Sequence, residues 1–219
     1  MIKAVIFDLD GTLIDSMGIW KKVDIDFLKK RNIAVPEHLF NDFNGGNSFN
    51  DLAVYFKEKF SLKESLDEIK NEWHQMVEEY YRKELEIKDN AIDVLNLLKD
   101  KNIKLAIGTS NSEYLTREVL KLNHIEDYFS SISCGCHDIK GKPYPDIFMN
   151  ASSELAVEAE NCLVIEDSLP GVQAAKNAGM MVFSIFDEHC GAELNDVIHQ
   201  SDRHFNNHKE LYEYLRENL

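Results

Sequence analysis

Cysteine and proline are scarce, with four of each in 219 residues. Four thiols do not make a disulfide framework in a chain this long. Cys134 and Cys136 form a C-x-C, but no second Cys or His pair stands at zinc-ligand spacing around it. Buried or half-buried thiols are the expected reading. There is no Pro-rich linker, low-complexity segment or internal repeat. Long apolar runs are missing too. No stretch approaches a membrane span, and the first run is cut by Asp8, too early for a signal-peptide core. Positive charge is also short: 24 Lys and Arg stand against 39 Asp and Glu, a formal net charge of −15. That balance argues against nucleic-acid backbones and anionic membranes. A soluble, cytoplasmic protein in a reducing compartment is expected, monomeric by default. Such a chain can bind a phosphate only with a local cation or a metal.

Hydrophobic residues make up 44% of the chain, enough for a sizeable core. Four short apolar runs stand out: Ala4-Val5-Ile6-Phe7, Leu105-Ala106-Ile107-Gly108, Leu163-Val164-Ile165 and Met181-Val182-Phe183-Ser184-Ile185. Each is bounded by polar or turn residues and is too short for a buried helix, so each predicts a strand covered on both faces. Helical spacing lies between them, in Ala91, Val94, Leu95 and Leu98, in Leu115, Val119 and Leu122, and in Val172, Ala175 and Ala178 before Gly179. The alternation predicts an α/β, doubly wound, Rossmann-like parallel sheet. Residues 15–87 differ, being rich in charge and aromatics with no comparable strand run. Phe27, Leu52, Phe56, Ile69, Trp73, Val77 and Tyr81 recur at three- and four-residue spacings. This predicts an inserted all-helical module over 15–87, with breaks near Pro36 and Gly45-Gly46, and a core built from 1–14 and 88–219. A polar helix is expected at the end of the chain.

Four groups of chemically capable residues are expected at strand ends, the ligand-binding edge of a parallel sheet. Asp8-Leu9-Asp10-Gly11-Thr12 holds two carboxylates, and Gly11 suggests a turn that lets both acids face one crevice. Gly108-Thr109-Ser110-Asn111 is a hydroxyl-rich turn into a helix, where backbone N–H groups suit a phosphate. Lys142-Pro143-Tyr144-Pro145-Asp146 fixes a lone cation between prolines. Glu166-Asp167-Ser168 adds two acids, enough with Asp8 for an oxygen-only Mg2+ site. Each alone has an ordinary explanation as a cap, a turn or a solvated charge. Four in order are poorly explained by coincidence.

These residues resemble the haloacid-dehalogenase-like hydrolase superfamily, in the branch holding β-phosphoglucomutase and small sugar-phosphate phosphatases. The resemblance covers almost the whole chain. It is carried by Asp8-Leu9-Asp10-Gly11-Thr12-Leu13, by Gly141-Lys142-Pro143-Tyr144-Pro145-Asp146-Ile147-Phe148, and by residues 164–180, Val-Ile-Glu-Asp-Ser-Leu-Pro-Gly-Val-Gln-Ala-Ala-Lys-Asn-Ala-Gly-Met. It implies Asp8 as nucleophile, forming an aspartyl-phosphate. Asp10 would be the general acid, then base, with its backbone carbonyl on Mg2+. Asp167, helped by Glu166, would complete the metal site with Asp8. Thr109 and Lys142 would hold the phosphoryl oxygens, with Ser110 and Asn111 extending the phosphate loop. Dehalogenation is disfavoured, since a carbon–halogen substrate needs no proton delivered to its leaving group and Asp10 would then be superfluous.

The insertion is implied to be a cap, hinged near 14–18 and 84–90. Its loop Phe43-Asn44-Gly45-Gly46-Asn47-Ser48-Phe49 carries no Arg or Lys to grip a second phosphate. That favours a phosphatase acting on a small, sugar-like phosphorylated metabolite over a phosphosugar mutase. A non-catalytic phospho-Asp signalling module is the reading from another class. Met17, Trp20 and Asn47 could line the cap's substrate face, although Trp20 reads first as cap core. Trp73, Tyr80 and Tyr81 read as core or surface, and His137 as a loop residue without a role.

Overall fold

The computed structural model describes residues 1–36, 39, 49–135 and 139–219. The four apolar runs are strands: β1 Ala4–Phe7, β2 Lys104–Thr109, β4 Cys162–Glu166 and β5 Met181–Ile185. Two more complete the sheet, β3 Ser131–Cys134 and β6 Arg203–Phe205. Neither is an apolar run, because three of the four residues of β3 are serine or cysteine, and β6 is three residues on an edge. All pairings are parallel, in the order β3-β2-β1-β4-β5-β6. The chain builds outward from β1 to one side, returns, and builds outward to the other. β1 and β4 therefore flank the switch point, and their carboxyl ends form the edge at which an open parallel sheet binds ligands. Phe7 pairs with Ile107 on one side and Ile165 on the other, so the residues just past all three strands converge there.

Nine α-helices are described. Helices α1 Met17–Lys30, α2 Phe49–Lys59 and α3 Leu66–Glu84 form the insertion. Helices α4 Ala91–Asp100, α5 Glu113–Leu122, α6 Asp146–Glu154, α7 Leu169–Asn177, α8 Leu194–Gln200 and α9 His208–Asn218 belong to the sheet's layers. The expected terminal helix is α9, capped by Asn207. Ser65 and Glu68 start α3 with a reciprocal capping box, satisfying donors that a helix start leaves open. The inward stripe of α3, Ile69, Trp73 and Val77, is fully buried. Trp73 packs between Phe27, 5.4 Å away, and Phe56, 5.0 Å away.

The chain passes between sheet and insertion at two paired segments. Ile14 bridges Ile87 in antiparallel fashion, Asp15 N–H donates to Glu86 O at 3.0 Å, and Lys88 N–H donates to Leu13 O at 3.0 Å. These crossings fall where the hinges were expected. The hydrophobic interior does not divide there, because one apolar cluster runs from Val5 and Phe7 under the sheet to Trp73 and Phe56 in the insertion. No described helix is long and apolar enough to cross a membrane. The loop 43–48, with Asn47, and His137 lie outside the described residues.

Candidate active site

Asp8 leaves β1 still held in the sheet, its N–H donating to Ile165 O at 2.9 Å. The chain then turns at Gly11, whose φ is +82°. A Cβ at Gly11 would stand 2.5 Å from Asp167 Oδ2, so both backbone shape and space require glycine there. The turn brings Asp8 and Asp10 close enough for the Asp10 charge to act on Asp8.

Lys142 follows β3 at a distance, not one of the four apolar runs, yet its ammonium reaches the switch point. Nζ donates to Asp8 Oδ1 at 2.5 Å and to Glu166 Oε1 at 2.6 Å. It is the only Lys or Arg buried among the described residues. Glu166 Oε2 accepts from Asp167 N at 2.7 Å, Ser168 N at 2.6 Å and Ser168 Oγ at 3.0 Å. Both Glu166 oxygens are thus committed to protein donors, a geometry that suits an anchor for Lys142 better than the metal ligand expected of it. Asp167 Oδ1 accepts from Thr12 Oγ1 at 2.6 Å.

Two buried carboxylates, Asp8 and Glu166, therefore face one buried ammonium, and the charge of a third, Asp167, is felt beside them. Burial pushes Asp8 up to about 7; Lys142 pulls against this, and the Glu166 and Asp10 charges push with it. Burial, then the charges of Glu166 and Asp8, hold Asp167 well above the usual carboxylate range. Burial works against the Lys142 charge, but Asp8 and Glu166 outweigh it and keep its pKa above the ordinary lysine value. An uncompensated excess of oxygen anions is what a divalent cation relieves. Among the described residues no three His, Cys, Asp or Glu side chains converge as a ready-made ligand set. Asp8, Asp167 and one backbone carbonyl would leave positions for water, which is how Mg2+ is commonly held. The donor chemistry therefore fits Mg2+.

Thr109 ends β2 and is 1% exposed. Its Oγ1 accepts from Asn111 N at 3.1 Å and donates to no described residue. Ser110 lies at the next bend. Asn111, expected to extend the phosphate loop, turns its amide elsewhere: Nδ2 donates to Asp10 Oδ2 at 2.8 Å, while Oδ1 accepts from Ser112 N at 2.7 Å. Asp10 Oδ1 receives Ser16 Oγ at 2.6 Å, Trp20 Nε1 at 3.0 Å and Tyr81 Oη at 3.0 Å. Nothing in the sequence marks Ser16 for the site, and the helical pattern reads Tyr81 as core or surface. Both reach the site through Asp10, as does Trp20, first read as cap core. One signal could have found Tyr81, since the buried stripe of α3 ends in a phenol, and a buried hydroxyl needs a partner. Burial and the Asp10 charge raise its pKa well above the usual value, keeping it a donor.

A family model described as haloacid dehalogenase-like hydrolase matches residues 5–185. A phosphorylated carbohydrates phosphatase of Thermotoga maritima is 30% identical over 82% of this chain and 82% of its own. A β-phosphoglucomutase of Bacillus subtilis is 32% identical over 84% of this chain and 83% of its own. The crystal structure of CbbY from Rhodobacter sphaeroides in complex with phosphate superposes with a TM-score of 0.82, covering 96% of both chains at 22% identity, a likeness of fold.

Proposed function

The chain belongs to the haloacid dehalogenase-like hydrolase family and is a phosphoric monoester hydrolase, and from that premise we propose that it hydrolyses a small, sugar-phosphate-like monoester through an aspartyl-phosphate on Asp8, with Mg2+. The observation that carries this reading is the buried Asp8 carboxylate, 2.5 Å from the Lys142 ammonium and beside Asp167 at the sheet's switch point.

The Lys142 ammonium and the Thr109 hydroxyl hold the phosphoryl oxygens and place phosphorus against Asp8. An Asp8 oxygen forms the new bond to phosphorus while the ester oxygen departs, taking its proton from Asp10. The alcohol leaves and the phosphoryl group stays on Asp8. Asp10, now a carboxylate, takes a proton from water as that water attacks phosphorus, which releases inorganic phosphate and restores Asp8. Glu166 keeps Lys142 in place through both steps. Bound Mg2+ would be held by Asp8, Asp167 and the Asp10 backbone carbonyl, and would supply the charge neutralisation that lets a phosphate dianion approach a carboxylate.

The reading takes the protein to be a cytoplasmic monomer, with residues 15–87 as the cap that selects the phosphorylated metabolite. It does not include a nucleic-acid or membrane partner. Asp8→Asn is expected to abolish Mg2+-dependent phosphate release from an aryl phosphate while the circular dichroism spectrum is kept; unchanged turnover overturns the mechanism. A second reading, a phosphosugar mutase, is favoured by the likeness to the B. subtilis β-phosphoglucomutase. The absence of Arg and Lys from residues 43–49 argues against it. Incubation with a hexose 1-phosphate separates the two, giving free sugar from a phosphatase and the 6-phosphate from a mutase.

A further inference from the structure

We propose that Tyr81 is a positioning residue for Asp10: a side chain of the helical insertion that, with the Asn111 amide of the sheet domain, sets the orientation of the carboxyl that protonates the leaving oxygen. The inference rests on the reading of Asp10 as acid and base.

On α3 the positions before Tyr81 on the buried stripe, Ile69, Trp73 and Val77, are apolar and belong to the interior of the insertion. Tyr81 continues the stripe at 4% exposure, and a phenylalanine would fill that place equally well. The hydroxyl is therefore the informative part. It points out of the insertion and donates to Asp10 Oδ1 at 3.0 Å, with Asn111 Nδ2 3.4 Å from the same hydroxyl. Among the described residues, four donors from three separate segments, the start of α1, the end of α3 and the loop after β2, meet this one carboxylate. Ser16, Trp20 and Tyr81 share Oδ1, while among the described residues Asn111 alone takes Oδ2.

A carboxylate oxygen offers two lone pairs. Three donors on Oδ1 leave no room there for a proton, so Oδ2 is the oxygen that exchanges protons with substrate and water. Asn111 is the donor that must yield when it does so. Its own orientation is fixed, through Ser112 N on Oδ1 and its backbone N–H on Thr109 Oγ1. One end of the carboxylate is held from α1, α3 and the segment before α1, and the other from the loop after β2. The plane of Asp10 is therefore defined only while insertion and sheet domain hold it together. Tyr81 is the member of the set furthest along the chain from Asp10 on the insertion side, and so ties α3 to the reaction.

The test exploits the leaving group. An ester of an acidic phenol departs without a proton, whereas an alkyl ester needs one. Tyr81→Phe removes one oxygen and no packing. With an alkyl phosphate its kcat is expected to fall by about 10- to 100-fold, the scale of a misplaced catalytic group, with KM within about 2-fold. With an activated aryl phosphate the loss is expected to stay below about 3-fold. Trp20→Phe, which removes another donor from the same oxygen, should reproduce the pattern and carries the test if Tyr81→Phe melts early. Equal losses on both esters would mean a merely structural role and overturn the proposal, as would an unchanged rate on the alkyl ester. If Asp8→Asn still turns over the aryl phosphate, the catalytic reading itself fails and this inference falls with it.

Discussion

Gly171 offers a substitution whose sign is decided by the site and not by the helix that carries it. It occupies the first turn of α7, where alanine is normally the better residue by about 1 kcal/mol. A Cβ there would lie 1.7 Å from Glu166 Oε1 and 2.0 Å from its carboxyl carbon, where real contacts are essentially never under 3.0 Å. Glu166 cannot retreat cheaply. Its oxygens accept from Lys142 Nζ at 2.6 Å, from two backbone N–H groups and from Ser168 Oγ. Pushing it away leaves a buried ion pair half broken, which costs about 3–5 kcal/mol. Set against the helix gain, Gly171→Ala should destabilise by about 2–4 kcal/mol, within the margin a domain of this kind can lose and remain folded. Lys142 loses its anchor, so kcat should fall by about 100-fold or more, as when a transition-state donor is removed. Urea unfolding and phosphate release measure the two effects. Combining Gly171→Ala with Glu166→Ala removes the clash, so the double variant should be less destabilised than the two single effects added. A neutral or stabilised Gly171→Ala, or strict additivity in the double variant, refutes the argument that Gly171 exists to seat Glu166.

Two further predictions concern the ion and the pH. Mg2+ at about 100-fold above its dissociation constant should raise the melting temperature by about 5–10 °C, and Asp167→Asn should remove that shift; a shift that survives the substitution places the ion elsewhere. His208 is 1% exposed, and burial, aided by the Lys88 charge, holds its pKa down at about 3. The folded state thus binds fewer protons than the unfolded chain between about pH 3 and 6.5. The stability that His208 contributes is complete above about 6.5 and is lost as the pH falls, by about 2 kcal/mol at pH 5. Urea midpoints at pH 7.5 and 5.0 should therefore converge in His208→Gln relative to the unsubstituted protein, and equal pH sensitivity in both contradicts the assignment.

The central sheet was legible because its strands are buried on both faces. Ala4–Phe7 and Leu163-Val164-Ile165 are continuous apolar runs, Met181–Ile185 is broken only by Ser184, and runs of that length between turn residues suit a covered parallel strand. β3 and β6 were not legible as apolar runs. Ser131–Cys134 borrows its strand character from pairing with β2, and Arg203–Phe205 from an edge position beside β5. The insertion was legible from its 3.6-residue spacing, but its side-chain duties were not. Periodicity says which face of α3 turns inward, and Tyr81 is inward in either case. Whether its hydroxyl ends in the hydrophobic interior or on the Asp10 carboxyl depends on what lies opposite, 71 positions away in the chain.

The sequence by itself determined the ingredients: a doubly wound sheet, an inserted helical module, and Asp8, Asp10, Thr109, Lys142, Glu166 and Asp167 grouped at its ends. Local chemistry writes that information, through strand burial, the Gly11 turn and four short motifs. Tertiary structure alone decided how the ingredients divide the work. It joined Lys142 to both Asp8 and Glu166, turned Asn111 from the phosphate loop onto Asp10, and brought Ser16, Trp20 and Tyr81 to the same oxygen. Those pairings span up to 134 positions of chain. No local pattern encodes them, because a hydrogen bond is specified by where two segments meet in space and not by what either segment is.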